Sequence, residues 1–344
     1  MAASRATGVN RYGGISLEQY QSARRFGVSV VVLTLVFRLF EAGLPQGAAR
    51  LLRWLPISPN KQTEAGREAR HFSFPFPAES SPPAAYVPEP SRPSFTGEQA
   101  EALAVTNTSS RQPDIAALLT APLDWSLAGD KPTVLIVHTH TSESYERGGA
   151  DYAETAAYRT LDEEYNMLRI GDLVAQLLEA EGIGVIHDRE FHDYPSYNSA
   201  YTHARKAIQA QLLKNPQIQL VLDLHRDAME DGGRQVSTHA ALGGRDCAQL
   251  MTVLGVGRSG LPNDRWEEDL SLALKLQVLL QEQCPGIARP ISLRPQRFNQ
   301  DLAPYSLLIE VGTAGDTREK ALLAAAQLAA ALIQLKDGTS ADLP

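Results

Sequence analysis

Three apolar stretches of this chain run directly into ionisable side chains. Val134, Leu135, Ile136 and Val137 are followed at once by His138, Thr139, His140, Thr141, Ser142 and Glu143. The stretch IQLVLDLHRDA carries Asp223, His225, Arg226 and Asp227, and YSLLIEVG carries Glu310. His140 and Glu143 form an H-x-x-E spacing. On a turn leaving a strand, that spacing lets both side chains aim at one ion. Zinc accepts nitrogen and oxygen donors, and a catalytic site offers three protein ligands and keeps a fourth position open. His225 supplies the third donor. Glu310 is then a carboxylate near the ion but not bound to it, free to take a proton from water. Together they suit metal-assisted hydrolysis.

Neighbouring residues admit more than one role. His138 and His140 are two apart, so strand alternation starts them on one face. His138 is either a hydrogen-bonded rim residue, a residue that orients His140, or a ligand in its place. Asp223, two before His225, fits a carboxylate that orients that histidine, and its spacing fits packing equally. Asp162 precedes a helical pattern and suits an N-terminal cap or dipole partner. His187, His192, His203 and His239 lack a partnering pattern and read as structural or solvated, although HDYPSYNSAY around His192 could line a groove.

The elements that must position these residues alternate. Thr133–Val137, Ile183–Ile186, Gln219–Leu224, Met251–Gly255 and Leu307–Glu310 read as strands. Helical spacing predicts helices over Glu164–Glu181, from Asn198 or Ser199 to Lys214, over Trp266–Gln283 and over Arg318–Leu335. Strands separated by helices imply an α/β domain at 129–338: a single sheet flanked by helices on both faces, followed by a tail at 339–344. In such sheets function gathers at the carboxyl ends of strands. Upstream, Arg24 and Arg25 precede an apolar run of about a dozen residues, shorter than the roughly 20 a spanning helix needs. Residues 24–44 are therefore expected to be a membrane anchor, an uncleaved signal segment or a buried helix, with 1–23 on the cytoplasmic side. Residues 45–128, rich in Pro, Ser and Ala, are expected to be a mostly disordered linker.

The net charge of −8 argues against nucleic-acid binding. The two cysteines, Cys247 and Cys284, have no C-x-x-C spacing and form no metal knuckle. Spacing leaves open whether they pair.

The blocks VLIVHTHTSESY, YRTLDEEYNMLRIGD, VIHDREFHDYPSYNSAY, LVLDLHRDA, RWEEDLSLALKLQ, ARPISLRPQRFNQDLAP and LLIEVG, in that order, resemble the stage II sporulation protein P family over about Lys131 to Leu335. The resemblance implies a zinc-dependent peptidoglycan hydrolase that cuts the amide between N-acetylmuramic acid and L-alanine, in some members also stem-peptide cross-links. It implies a fold like the zinc amidases and, more distantly, the zinc carboxypeptidases. It also implies a single-pass membrane anchor with the catalytic domain outside, facing the cell wall, and a lytic transglycosylase partner during engulfment of the forespore. In related amidases the ligand Glu can lie further from the first His, which makes Asp162 a rival to Glu143. Two other functions compete. A zinc peptidase would need a cation for a terminal carboxylate, for which Arg226, Arg294 and Arg297 are candidates. An inert wall-binding scaffold would have no reason to keep His140, Glu143, His225 and Glu310 together.

Overall fold

The computed structural model describes residues 92–147 and 158–340. The expected anchor at 24–44, the segment before it and residues 45–91 lie outside the described residues, as does the tail from 341 on. Seven strands make one sheet: β1 (Val105–Asn107), β2 (Val134–Val137), β3 (Val185–His187), β4 (Leu220–Asp227), β5 (Leu250–Gly255), β6 (Ile291–Arg294) and β7 (Tyr305–Thr313). Their order is β1-β6-β5-β7-β4-β2-β3. β7, β4, β2 and β3 are mutually parallel, and β1, β6 and β5 are parallel to one another. The two blocks meet antiparallel where β5 pairs with β7. The carboxyl ends of β2, β4 and β7 therefore fall side by side on one edge.

The helices are α1 (Ile115–Thr120), α2 (Met167–Ala180), α3 (Ala200–Lys214), α4 (Trp266–Gln283) and α5 (Arg318–Gln334). Val134–Val137 is buried on both sides, which is why the strand reads as an unbroken apolar run. Leu135, Val137 and Val221 pack against Ala204 and Ile208 of α3. Alternation turns Val134, Ile136, Leu222 and Leu224 to the opposite face, where α2, α4 and α5 pack. The Asn166 side chain accepts the Leu168 N–H and starts α2. Gly182, at φ +77°, supplies the left-handed turn that ends it.

Residues 92–128 correct the expected linker. They hold a 3-10 turn (Gly97–Ala102), strand β1 on β6, and α1, capped by Asp114. Phe95, Leu119, Leu123, Trp125 and Leu127 are buried. Trp125 donates to the Leu335 carbonyl at 2.7 Å, and Thr339 exchanges hydrogen bonds with Leu123. The domain therefore starts before 129 and closes on Thr339. A three-residue strand and a six-residue helix carry too little periodicity to read, because their stability comes from tertiary contact. Cys247 and Cys284 are both buried and unpaired. Among the described residues no helix is long and apolar enough to cross a membrane.

Candidate active site

Strand register assembles the first part of the site. Asp223 and His225 are two apart on β4 and share the α3 face. Glu310 lies directly beside His225 in the β7–β4 ladder. β2 pairs with β4 as far as Val137 opposite Asp223 and then turns. The Glu143 N–H closes that turn on the His140 carbonyl at 3.1 Å. This brings the His140 ring to 5.4 Å from the His225 ring, nearly perpendicular to it. Short polar side chains hold the turn. Thr139 donates twice to Asp223, at 2.8 and 2.6 Å, and the Ser142 hydroxyl donates to Asp193 at 2.6 Å. Backbone bonds to Tyr158 and Thr160 secure its far end.

Charges crowd this edge. His225 Nδ1 is 3.5 Å from Glu143 Oε2, and its Nε2 is 2.9 Å from Asp223 Oδ1, without hydrogen-bond alignment. Burial would lower the His225 pKa, but Asp223 and Glu143 outweigh it and raise it well above the ordinary histidine value. Burial would raise the Glu143 carboxyl, but Arg226, His225 and His140 hold it at about 2. The Glu310 carboxyl is pushed up to about 8, chiefly by burial and further by Glu143 and Asp227, against the pull of His225 and Arg226. Three sheltered polar atoms of His140, His225 and Glu310 lack a hydrogen-bond partner here: His140 Nδ1, His225 Nε2 and Glu310 Oε2. Tyr197 stacks on the His140 ring at 4.3 Å, and Tyr201 meets it edge-on at 5.6 Å.

Among the described residues, no three His, Cys, Asp or Glu side chains converge into a ready-made ligand set. The donor types of His140, Glu143 and His225 nevertheless suit zinc. The unpartnered His140 Nδ1 is a buried donor atom without a role in the protein's own hydrogen bonding. Asp223 stands behind His225 as a carboxylate does behind a ligating imidazole.

Other expected residues lie elsewhere. His138 does not share the face of His140. Val137 faces α3, so His138 alternates to the α2 side. The turn at 139–142 then breaks strand parity before His140. His138 is fully buried, bonded to the Leu224 carbonyl and to His187, and held down at about 3 by burial and by His187. Asp162 is exposed. It accepts the Glu164 N–H at 3.1 Å and faces Arg147, contacts that suit an N-terminal turn. Arg226 is buried among Glu143 and the carbonyls of Ser144 and Tyr158, so it supports the site from within and is not a surface cation for substrate. Arg294 donates to Ser292 Oγ, and Arg297 pairs with Asp301. His192 is buried 3.3 Å from Asp188, His203 bonds the His192 carbonyl, and exposed His239 bonds Asp246. Tyr197, Tyr201, Thr139 and Asp193 were not singled out in the sequence. Only the aromatic loop HDYPSYNSAY signalled the first two.

The sequence profile of the family described as Stage II sporulation protein P (SpoIIP) matches residues 62–333. The chain is similar to Stage II sporulation protein P of Bacillus subtilis (strain 168), 28% identical over 206 residues, which cover 56% of this chain and 48% of that protein. The match thus spans about half the length of that curated relative. Among solved structures, an N-acetylmuramoyl-L-alanine amidase from Clostridium difficile 630 is similar at 16% identity and a TM-score of 0.37, over 61% of this chain and 98% of that one. AmiC2 of Nostoc punctiforme is similar at 16% identity and a TM-score of 0.35, over 60% and 97%. The chain belongs to the stage II sporulation protein P family.

Proposed function

We propose that this domain is a zinc-dependent peptidoglycan hydrolase that cuts the amide between N-acetylmuramic acid and L-alanine during spore formation. The observation that carries the reading is the meeting of His140, Glu143, His225 and Glu310 at the adjoining ends of β2, β4 and β7. His140, Glu143 and His225 would hold the ion, which when bound supplies a Lewis acid that lowers the pKa of water. Arg226 keeps Glu143 ionised and Asp223 orients His225. Glu310 takes a proton from the attacking water and later passes it to the leaving nitrogen, since an amine leaves poorly without one. Its partnerless oxygen supports that role.

An amidase fits better than a carboxypeptidase. The latter needs a cation to hold a terminal carboxylate, and Arg226, 3.6 Å from Glu143, is spent on Glu143 and two carbonyls. The Arg24–Leu44 segment would hold the domain at the membrane on its wall side. Mass analysis of purified peptidoglycan after digestion tests the reaction. Free stem peptides beginning with L-alanine are expected. Products cut only within the stem or cross-link would replace the amidase with a peptidase, and an undigested wall would contradict both.

A further inference from the structure

Behind the sheet, on the α2 side, two imidazoles meet. His138 Nδ1 lies 2.9 Å from the Leu224 carbonyl, which only accepts, so Nδ1 donates. The 2.8 Å contact between His138 Nε2 and His187 Nε2 is a hydrogen bond when His187 Nε2 carries the proton, and with Nδ1 donating to Asp172 that makes His187 an imidazolium, which has two donors. The rings meet edge-on with centroids 5.1 Å apart. His187 Nδ1 donates to Asp172 at 3.1 Å, and Arg189 ties Asp172 to Glu163.

α2 is shaped around this pair. A Cβ on Gly171 would overlap His187 Nε2 and lie 2.6 Å from His138 Nε2. A glycine inside a helix costs about 1 kcal/mol relative to alanine, and here it leaves the room the two rings occupy. The pair also sits where the backbone ladder stops. The last registered β2–β4 partners are Val137 and Asp223. The next tie between the strands is the His138 ring on the carbonyl of Leu224, the residue before His225. The His138 carbonyl in turn accepts the Thr141 hydroxyl within the turn that carries His140.

We propose that His187, in the room left by Gly171, is a positioning residue: it fixes the orientation of the His138 ring, whose tautomer the Leu224 carbonyl sets, and thereby the placement of His140 relative to His225. This rests on the reading of His140 and His225 as one site. Removing residues that orient a metal ligand typically lowers affinity or turnover 10–100-fold. His187→Ala, His187→Gln and Gly171→Ala, each in the full chain, test it by three readouts: zinc affinity by chelator competition, kcat and KM separately, and imidazole NMR of the metal-free protein. His187→Ala should lower kcat and zinc affinity by about 10–100-fold, leave KM within about twofold, and shift the His140 and His225 ring signals. Gln, which keeps one donor, should recover part of the loss. Folded variants with unchanged His140 and His225 signals, or with only a lower melting temperature, would overturn the proposal. If the variants do not fold, wild-type NMR decides it. A coupling across the His187–His138 N–H···N bond is expected, and its absence overturns the pair. If the wild type neither binds zinc nor cuts peptidoglycan, the hydrolase reading fails while the ring signals still decide the positioning.

Discussion

On the α3 side of the β2–β4 edge, His140 Nδ1 and Glu310 Oε2 have no partner. On the α2 side, a few residues away in sequence, each ring nitrogen of His138 and His187 has one. Leaving a buried polar group unpaired costs roughly 1–3 kcal/mol, so a fold keeps such groups mainly where something else completes them. The α3 side therefore reads as the place for an ion, water and substrate, and the α2 side as the frame that holds it. Two histidines two residues apart ended in opposite settings because β2 ends at Val137 and the chain turns between them.

The largest expected effect is on the α3 side. Glu310→Gln keeps shape but cannot take a proton, so turnover should fall by about 10²–10⁴-fold, or roughly 3–5 kcal/mol of barrier. Zinc binding should persist. Near-normal turnover would remove Glu310 from the chemistry, and loss of zinc would make it a ligand.

Lys275 extends the comparison away from the site. It is fully buried, bonded through Nζ to the Leu118 carbonyl and Ser271, and among the described residues no carboxylate is paired with it. Burial lowers its pKa from 10.5 to about 8. The folded state thus binds fewer protons than the unfolded chain between those values, and stability rises as pH rises through that window. Below pH 8 the burden is about 3 kcal/mol. Lys275→Met leaves two acceptors less well served, so a net gain of roughly 1–3 kcal/mol is expected at pH 7. The gain should shrink above pH 10. Denaturant titrations at both pH values measure it, and a variant less stable at pH 7 would show that Lys275 stabilises as a donor.

His138→Ala probes the α2 side. Zinc affinity should drop about 10–100-fold without being abolished. An empty site in this variant, with zinc retained in His140→Ala, would exchange the two histidines' roles. The smallest effect belongs to Asp162→Ala. Exposed and engaged only locally, it should change stability by no more than about 0.5 kcal/mol and leave zinc binding intact. Loss of zinc there would move the third ligand from Glu143 to Asp162.

Much of the central fold was legible because its signals are long or repeated. Trp266–Gln283 is a helix over the span its periodicity indicates, and the strand–helix alternation from Val134 onward gave the α/β class. The nearness of His140, His225 and Glu310 to one edge was legible from apolar runs leading into ionisable residues, but β4 runs on to Asp227 and β7 to Thr313, so His225 and Glu310 lie within their strands rather than at the ends. The reversal between β5 and β7 was not legible, because a strand's direction within a sheet leaves no mark on its residues. The parity of His138 depended on where β2 ends, a matter of one residue. The burial of Arg226 and the stacking of Tyr197 on His140 arise from contacts distant in sequence. Residues 92–128 looked like linker because their few apolar anchors are spaced by prolines and polar residues and gain meaning only against β6 and α5.

The proposed function requires the α3-side cluster to hold one zinc. Zinc content of the purified, metal-reconstituted protein, measured beside His140→Ala and His225→Ala, tests it most directly. About one zinc per wild-type chain and almost none in either variant is expected. Equal zinc in all three, or none in the wild type, would contradict it.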